Sequence, residues 1–210
     1  MPFFNRKKPV TNVPVPSKQD LDLYWDPRMA EILEHWGDNN VWNEIQMFFS
    51  VLEGKVLDIA CGTGTTIIRL KQYVALDLYG CDISDLLIRK GVEKGISPQK
   101  LIICDATRMP YANQNFEYSF SIGSLEHFTE VGIQDFLKEA RRVTRIASIH
   151  MLPTSKSGID EGWMKTLQSF HNNSNIWWQQ RFENEFRQVK VIRSKWEDRL
   201  SNGYWFVCSL

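Results

Sequence analysis

The sequence predicts an α/β fold: a doubly wound, mostly parallel seven-stranded sheet with helices on both faces and an antiparallel C-terminal strand. Apolar runs typical of buried strands alternate with helical stretches between residues 55 and 151. This alternation favours parallel strands joined by right-handed crossovers. The first run leads directly into a glycine-rich turn, and the chain ends in two strand-like runs separated by a short polar stretch, as in an antiparallel hairpin.

Seven strands are expected in chain order, with helices between the first five. They lie near residues 55–60, 76–81, 101–104, 116–122, 145–151, 188–194 and 203–209. Ser84 is a typical N-cap for the helix after the second strand, and this helix should stop around Gly91 or Gly95. The polar stretch between the last two strands ends at Asn202-Gly203, a pair typical of hairpin turns.

The turn after the first strand has the chemistry of a ligand-binding loop. The apolar run 56–59 enters a turn in which Gly62 and Gly64 permit backbone angles closed to other residues and let a ligand touch the main chain. The helix that follows points unpaired N–H groups at the same place. Asp58 lies near the end of the buried strand, where a carboxylate is costly unless it hydrogen-bonds loop amides or a ligand. We therefore expect a cofactor site at this turn.

Several segments, in order along the chain, resemble the motifs of the class I S-adenosylmethionine-dependent methyltransferases. They are 56–64 for the first motif, 79–84 for the second, 104–111 for the third, 116–121 with 124–128 for the fourth strand and its exit loop, and 136–143 for the following helix. The resemblance covers about residues 55–151, and the last strand also resembles the family's antiparallel one.

This resemblance implies S-adenosylmethionine as cofactor and S-adenosylhomocysteine as product. It implies that Asp82 holds the ribose hydroxyls and that Asp105 and Ala106 meet the adenine. Trp25 is expected to contact the methionine part, because aromatic faces favour a nearby cation such as a sulfonium. The other expected cofactor contacts come from the first-motif turn, from the residue after Asp82 and from the fourth strand: Asp58, Ala60, Cys61, Gly62, Gly64, Ile83 and Ser121.

The implied chemistry is methyl transfer by in-line displacement to a small-molecule acceptor. Because the sulfonium is already an activated leaving group, the protein must chiefly align the reactants and exclude water. His127 follows the fourth strand and is the candidate catalytic base for a hydroxyl or amine acceptor. The alternative is that Glu126 and His127 only cap or orient the loop. The methylated atom and the oligomeric state are left open.

One domain is expected over residues 20–210, after a flexible, proline-containing tail at 1–19. It divides into a helical lid (20–52), a cofactor-binding half (53–151) and a substrate-side insertion with a terminal hairpin (152–210). Aromatic residues are concentrated in the first and last of these segments. We expect these two segments to wall the acceptor pocket.

Three departures from the family pattern have structural consequences. Ala60 replaces the first glycine of the turn, which implies a backbone angle open to alanine. The residues 144–146 replace a Lys-Pro-Gly-Gly turn, so the connection into the fifth strand should be shortened or reshaped. The fourth strand lacks the Asn-Pro-Pro-Tyr or Asp-Pro-Pro-Tyr signature of enzymes that methylate amino groups of adenine or glutamine, which disfavours those substrates.

Three other classes of protein are considered. Gly62 and Gly64 followed by Asp82 also fit the opening of a nicotinamide-dinucleotide fingerprint, but Ile67 stands at its third glycine. A phosphate-binding P-loop is excluded because no Gly-Lys-Ser or Gly-Lys-Thr follows the turn. A non-catalytic adenosylmethionine-binding or partner-binding protein with the same fold remains the alternative to an enzyme.

Charge and composition narrow the range of partners and locations expected for the protein. The chain has 25 basic and 25 acidic side chains and a net charge of zero, which argues against nucleic acid as a partner. No apolar run approaches membrane-spanning length, and a cytoplasmic location is expected. The four cysteines form no Cys-x-x-Cys pair, so we expect free thiols and no metal; Cys61, Cys81 and Cys104 should line the cofactor edge of the sheet.

Overall fold

The computed structural model of the chain describes residues 20–38, 41–73 and 75–210; the tail expected at 1–19 lies outside these residues. The α-helices in these ranges are α1 (Pro27–His35), α2 (Val41–Phe49), α3 (Thr65–Leu70), α4 (Asp85–Glu93), α5 (Glu130–Val143) and α6 (Asn175–Glu183). Short 3₁₀ helices form at Leu21–Trp25, here named the strap, at Pro98–Lys100, and at Leu125–His127, here named the exit turn.

The strands are β1 (Gly54–Ile59), β2 (Leu76–Asp82), β3 (Leu101–Ile103), β4 (Phe116–Ile122), β5 (Thr144–Ser155), β6 (Trp163–Lys165), β7 (Ser169–His171), β8 (Gln188–Glu197) and β9 (Ser201–Ser209). Seven of them form one sheet in the order β3-β2-β1-β4-β5-β9-β8, and β6 and β7 form a separate hairpin. The first five strands of the sheet are parallel, whereas β9 is antiparallel to both β5 and β8. The predicted fold class is confirmed.

Apolar clusters cover both faces of the sheet. One lies under α5 and α6 and includes Phe136, Phe182 and Phe206. The other lies under α2 and α3 and includes Phe49 and Phe120. The expected lid segment therefore contributes α2 to the core, whereas the strap lies at the carboxyl edge of the parallel strands.

Local signals predicted several boundaries correctly. Ser84 caps α4 by accepting a hydrogen bond from the backbone N–H of Leu87 at 3.2 Å, and the helix stops before Gly95, whose φ is +90°. α5 passes into β5 without a turn, which confirms the shortened connection. A register shift in the β4–β5 pairing, between Phe116↔Thr144 and Tyr118↔Ala147, accompanies this junction and places one extra residue in β5.

The turn expected at Asn202-Gly203 was predicted at the wrong place. The hairpin turn lies at 198–200, because the Asp198 carboxylate accepts from the backbone N–H groups of Leu200 (2.8 Å) and Ser201 (2.7 Å) and so builds an Asx-type turn. Asn202 and Gly203 lie inside β9 instead. A Cβ at Gly203 would come within 2.5 Å of Met151, so glycine at this position permits close packing rather than a turn.

The helix expected between β3 and β4 is absent from this fully described stretch. Residues 104–115 form turns instead. The Arg142 guanidinium donates to the carbonyls of Met109 (2.9 Å) and Tyr111 (2.7 Å), and Glu139 accepts from the backbone N–H of Met109 at 2.7 Å. Side chains of α5 thus satisfy the loop's backbone groups without a helix.

Among the described residues, no helix has the length and apolar character needed to cross a membrane.

Candidate active site

The glycine-rich turn lies where the strand order reverses, between β1 and its neighbour β4. Three of its residues have left-handed backbone angles: Ala60 (φ +57°), Gly62 (+55°) and Gly64 (+70°). For Ala60 this contradicts the expected angle open to alanine, since a Cβ makes the left-handed region unfavourable. Hydrogen bonds from Cys61 N to Cys81 O (2.8 Å) and from Gly64 N to Cys61 O (2.9 Å) hold the turn in this shape. Strained backbone of this kind is typical of ligand sites.

Asp82, at the end of β2, ties this turn to α4. Its carboxylate accepts from the backbone N–H groups of Gly62 and Ser84, each at 2.9 Å. Burial raises the pKa of Asp82, and the amide hydrogen bonds partly oppose that rise. The carboxylate therefore has a structural partner on each oxygen, and its remaining lone pairs are the ones a ribose could use. Ile83 lies in the chain between Asp82 and Ser84.

Asp58 is buried at the end of β1, next to the turn. Its Oδ2 has no hydrogen-bond partner among the described residues. Burial, with a smaller effect of the Asp82 charge, raises the pKa of Asp58 well above its usual range. A buried acceptor without a partner is costly, so this oxygen fits a ligand that brings N–H donors or positive charge.

The two residues expected to meet the adenine follow β3. Asp105 is exposed, and its Oδ1 accepts from the backbone N–H and the hydroxyl of Thr107, both at 2.8 Å. Ala106 is buried. The Cys104 backbone N–H donates to the Asp82 carbonyl at 2.9 Å, which keeps this turn beside the β2 end. None of these contacts tests whether Asp105 and Ala106 meet the adenine, so that role stays a prediction.

The four cysteines are free. Cys61 and Cys104 are half-buried at the ends of β1 and β3, whereas Cys81 is fully buried in β2, 3.8 Å from the Met109 sulfur. Within the described residues, no group of three or more histidine, cysteine, aspartate and glutamate side chains could hold a metal.

The strap crosses the carboxyl edge of the parallel strands. At one end Asp20 accepts from the Ser169 backbone N–H at 2.8 Å, on the β6–β7 hairpin. At the other end the Ser84 hydroxyl donates to the Tyr24 carbonyl at 2.6 Å, and the Trp25 indole N–H donates to Asp85 at 2.8 Å. Trp25 is 42% exposed, and its expected contact with the cofactor stays a prediction.

Tyr24 was missed by the sequence analysis, which singled out its neighbour. Its hydroxyl accepts a hydrogen bond from Gln168 Nε2. Burial raises the pKa of the Tyr24 phenol, and the carboxyl groups of Asp82, Glu126 and Asp20 raise it further. Tyr24 therefore lies near Asp82 of β2, Glu126 of the exit turn and Asp20, the residue before the strap. No local sequence signal distinguishes it from the other aromatic residues of residues 20–52.

The exit turn carries two ionisable side chains: Glu126 is buried, and His127 is 17% exposed. His127 Nδ1 lies 2.8 Å from the Ser169 carbonyl; because a carbonyl only accepts, this nitrogen carries the hydrogen. Its Nε2 lies 3.6 Å from Glu126 Oε1. Burial lowers the pKa of His127 to about 4 and raises that of Glu126 to about 8. Glu126 Oε2 has no partner among the described residues.

Ser121 is buried on the face of the sheet covered by α5 and α6. Its hydroxyl lies 2.8 Å from His150 Nδ1, and His150 Nε2 lies 2.7 Å from the Ser148 hydroxyl. The chain of hydrogen bonds continues through Ser119 to Thr144. The Ser121 hydroxyl thus takes part in a core network, and its expected cofactor contact stays a prediction.

An aromatic cluster lies between the β6–β7 hairpin and α6. The His171 ring is 4.6 Å from Trp163, 5.3 Å from Trp177 and 6.4 Å from Trp178, measured between ring centroids. Burial lowers the pKa of His171 to about 4, and neither of its nitrogens has a partner among the described residues. This is the segment expected to form one wall of the acceptor pocket.

A doubly wound sheet with this strand order, a glycine-rich turn after β1 and an acid at the end of β2 defines the class I S-adenosylmethionine-dependent methyltransferase fold. In agreement, residues 56–146 match the family described as "Methyltransferase domain".

Comparison with known proteins gives the same family. The chain is 30% identical over 134 residues to the demethylmenaquinone methyltransferase of Staphylococcus aureus (strain MRSA252), which covers 61% of this chain and 53% of that protein. It is 28% identical over 93 residues to the probable tRNA methyltransferase 9B of Mus musculus, which covers 43% of this chain and 20% of that protein. The chain thus spans about half, or less, of the length of these curated relatives.

Among solved structures, a SAM-dependent methyltransferase from Methanosarcina mazei superposes with a TM-score of 0.68 at 14% identity, over 78% of this chain and 96% of that one. Residues 56–146 thus match a methyltransferase domain, and the described residues have the fold of the class I S-adenosylmethionine-dependent methyltransferases. S-Adenosylmethionine is accordingly its cofactor. The orphaned Asp58 oxygen fits the cofactor, whose amino group and sulfonium are positively charged.

Proposed function

We propose that the protein transfers the methyl group of S-adenosylmethionine to a small-molecule acceptor. The observation that carries this proposal is the buried, unpartnered carboxylate oxygen of Asp58 beside the strained turn 60–64. Ligands of doubly wound sheets bind at the carboxyl ends of the strands where the strand order reverses, and Asp58 lies at that position. A buried acceptor without a partner and an alanine with a left-handed backbone each cost stability, so both support a ligand-binding role.

The cofactor would be held by the residues the family resemblance implies. Asp58 and the turn would hold its positively charged amino-acid part, Asp82 the ribose hydroxyls, and Asp105 with Ala106 the adenine. When bound, the cofactor supplies a methyl group activated by the sulfonium. The chain's own part is to align the acceptor with that methyl group and to exclude water. The strap, hydrogen-bonded at both ends, supports the second task.

His127 is assigned a positioning role in this proposal. Its Nδ1–H is held by the Ser169 carbonyl, and a pKa of about 4 makes it a weak base. It links the exit turn to the β6–β7 hairpin and so fixes the acceptor side of the site. In the transfer itself, a lone pair of the acceptor forms the new bond to the methyl carbon. The carbon–sulfur bond breaks with its electron pair on sulfur, and the acceptor loses a proton.

Three observations support a small molecule as acceptor. The chain is neutral overall, which argues against a nucleic-acid partner. The strap contacts the β6–β7 hairpin across the carboxyl edge, and the aromatic cluster around His171 packs against that hairpin. The similarity to a demethylmenaquinone methyltransferase agrees with a small acceptor.

We also propose the division of the domain into lid, cofactor-binding and substrate-side segments. A cytoplasmic location is proposed as well, and the free cysteines support this location.

A second candidate acceptor is tRNA, which the similarity to the mouse probable tRNA methyltransferase favours. One assay separates the candidates: formation of S-adenosylhomocysteine from S-adenosylmethionine, with a metabolite library that includes quinone precursors in one arm and total tRNA in the other. We expect turnover only in the metabolite arm. Turnover only with tRNA would contradict the small-molecule proposal, and binding of cofactor without turnover in either arm would favour the non-catalytic alternative.

A further inference from the structure

Two buried carboxyl groups flank the point where the strand order reverses. β1 and β4 are parallel neighbours, with Asp58 paired in register with Phe120. Asp58 lies at the end of β1, and Glu126 lies on the exit turn just after β4. Each carboxyl group is at most 3% exposed, and each has one oxygen without a partner among the described residues, Asp58 Oδ2 and Glu126 Oε2. Asp58 already has a proposed role, whereas Glu126 has none.

Among the described residues, the ionisable side chains that interact with Glu126 are Tyr24 and His127. The Tyr24 phenol is neutral, and His127 is uncharged at neutral pH because burial lowers its pKa to about 4, so neither supplies positive charge. Burial raises the pKa of Glu126 to about 8, so the side chain is protonated in the free protein at neutral pH.

We propose that Glu126 senses the charge of the bound cofactor: it ionises when the cationic S-adenosylmethionine binds and then accepts the proton of the acceptor. This inference rests on the proposed function. A positive charge placed in the same buried edge favours the ionised carboxylate. Glu126 would thus become a base only when the methyl donor is present.

The proton balance of the transfer follows. The acceptor's proton passes to Glu126 Oε2 while its lone pair bonds the methyl carbon, and the electron pair of the broken carbon–sulfur bond stays on sulfur. The product S-adenosylhomocysteine is an uncharged thioether at that position, so Glu126 is protonated again in the product state. Glu126 is therefore ionised when the positively charged donor is bound and protonated when the uncharged product is bound.

Proton release on binding tests the proposal without any acceptor. Calorimetric titrations with S-adenosylmethionine and S-adenosylhomocysteine, in two buffers of different ionisation enthalpy at about pH 7, give the protons released by each ligand. With a pKa of about 8, Glu126 holds about 0.9 proton at this pH. We expect up to that excess release with S-adenosylmethionine in the wild type and its loss in Glu126→Gln.

The matched control is Glu130→Gln. Glu130 is close in sequence, but its side chain is 62% exposed and pairs with Arg181 at 3.1 Å. This variant should keep the wild-type excess, and the ligand's own ionisation is the same for all three proteins. The glutamine at 126 mimics the protonated carboxyl, so we expect its unfolding temperature to stay close to that of the wild type.

Two results would overturn the proposal. One is equal proton release by both ligands in the wild type, a readout that needs no variant. The other is an excess release that persists in folded Glu126→Gln. Absence of binding by either ligand would instead refute the proposed cofactor site itself, so the two failures are distinguishable.

Discussion

The carboxylate of Asp82 accepts a hydrogen bond from the backbone N–H of Gly62, with 2.9 Å between Oδ2 and N, although the residues are 20 positions apart. Its Oδ1 accepts from the backbone N–H of Ser84 at 2.9 Å. One side chain therefore ties the turn after β1 to the start of α4. The shape of the cofactor turn and the position of the residue expected to hold the ribose depend on each other.

Asp82→Asn should weaken both the fold and cofactor binding. The substitution replaces one acceptor oxygen by an N–H₂ donor, so one of the two backbone N–H groups loses its partner. We expect the free energy of unfolding to fall by about 1–3 kcal/mol. Loss of charge-assisted ribose contacts should weaken S-adenosylmethionine binding by about 1.5–3 kcal/mol. Urea unfolding and calorimetry measure the two effects.

Asp77→Asn is the control in the same strand. The Asp77 carboxylate pairs with Lys100 at 2.6 Å and is 45% exposed. Surface ion pairs contribute little, so its loss should cost less than about 1 kcal/mol and leave cofactor affinity unchanged. If the two variants lost the same stability and affinity, the role assigned to Asp82 would be wrong.

Ala60→Gly should stabilise the protein. The residue has φ +57°, where a Cβ costs roughly 1–2 kcal/mol and glycine costs nothing in the folded state. Because glycine also gains freedom in the unfolded chain, the expected net increase in the free energy of unfolding is about 1 kcal/mol at most.

Ala140→Gly, in the interior of α5, provides the opposite case. There the same substitution should destabilise by about 0.5–1 kcal/mol. Urea unfolding of both variants checks the contrast. Destabilisation by Ala60→Gly of the same size would show that the backbone at position 60 is not left-handed.

Local chemistry explains which features could be predicted from the sequence. The alternation of strands and helices, apart from the helix expected between β3 and β4, the glycine turn and the Ser84 cap depend on neighbouring residues, and they were predicted. The hairpin turn was misplaced because Asn202-Gly203 is a strong turn signal, whereas the Asx-type turn that begins at Asp198, four residues earlier, builds the actual turn. Both signals are local, and only the pairing of β9 with β5 decides between them.

The missed parts of the candidate site depend on contacts between distant residues. Tyr24 meets Gln168 across 144 positions, and Asp20 meets Ser169 across 149. The Ser121–His150 contact requires the register of β4 against β5, in which these two residues are partners. Periodicity and motifs carry no information about such pairs, so the strap was recognised as a lid segment without its contacts.

Stability should fall in acid because of the buried histidines. Burial lowers the pKa of His150 to about 3, against about 6.5 in an unfolded chain. Between these values the unfolded chain binds a proton that the folded protein does not bind. Stability is therefore complete above about pH 6.5 and decreases as the pH falls, by up to about 1.4 kcal/mol per pH unit for this group. His127 and His171 act in the same direction.

His150→Gln should reduce the slope of the free energy of unfolding against pH by the contribution of one group, up to about 1.4 kcal/mol per pH unit. The comparison is urea unfolding of wild type and variant at several pH values between about 4.5 and 7. His35→Gln is the control, since the His35 side chain is 76% exposed, and it should follow the wild type. An unchanged slope in His150→Gln would show that His150 does not titrate as its burial implies.

The carboxyl edge beside Asp58 and Asp82 is the proposed binding site of S-adenosylmethionine. Calorimetric titration of the wild type and of Asp58→Asn with S-adenosylmethionine, S-adenosylhomocysteine and NAD tests it most directly. We predict that the wild type binds both adenosyl compounds and not NAD, and that Asp58→Asn binds S-adenosylmethionine about tenfold more weakly. A folded wild-type protein that binds NAD, or neither adenosyl compound, would contradict the account.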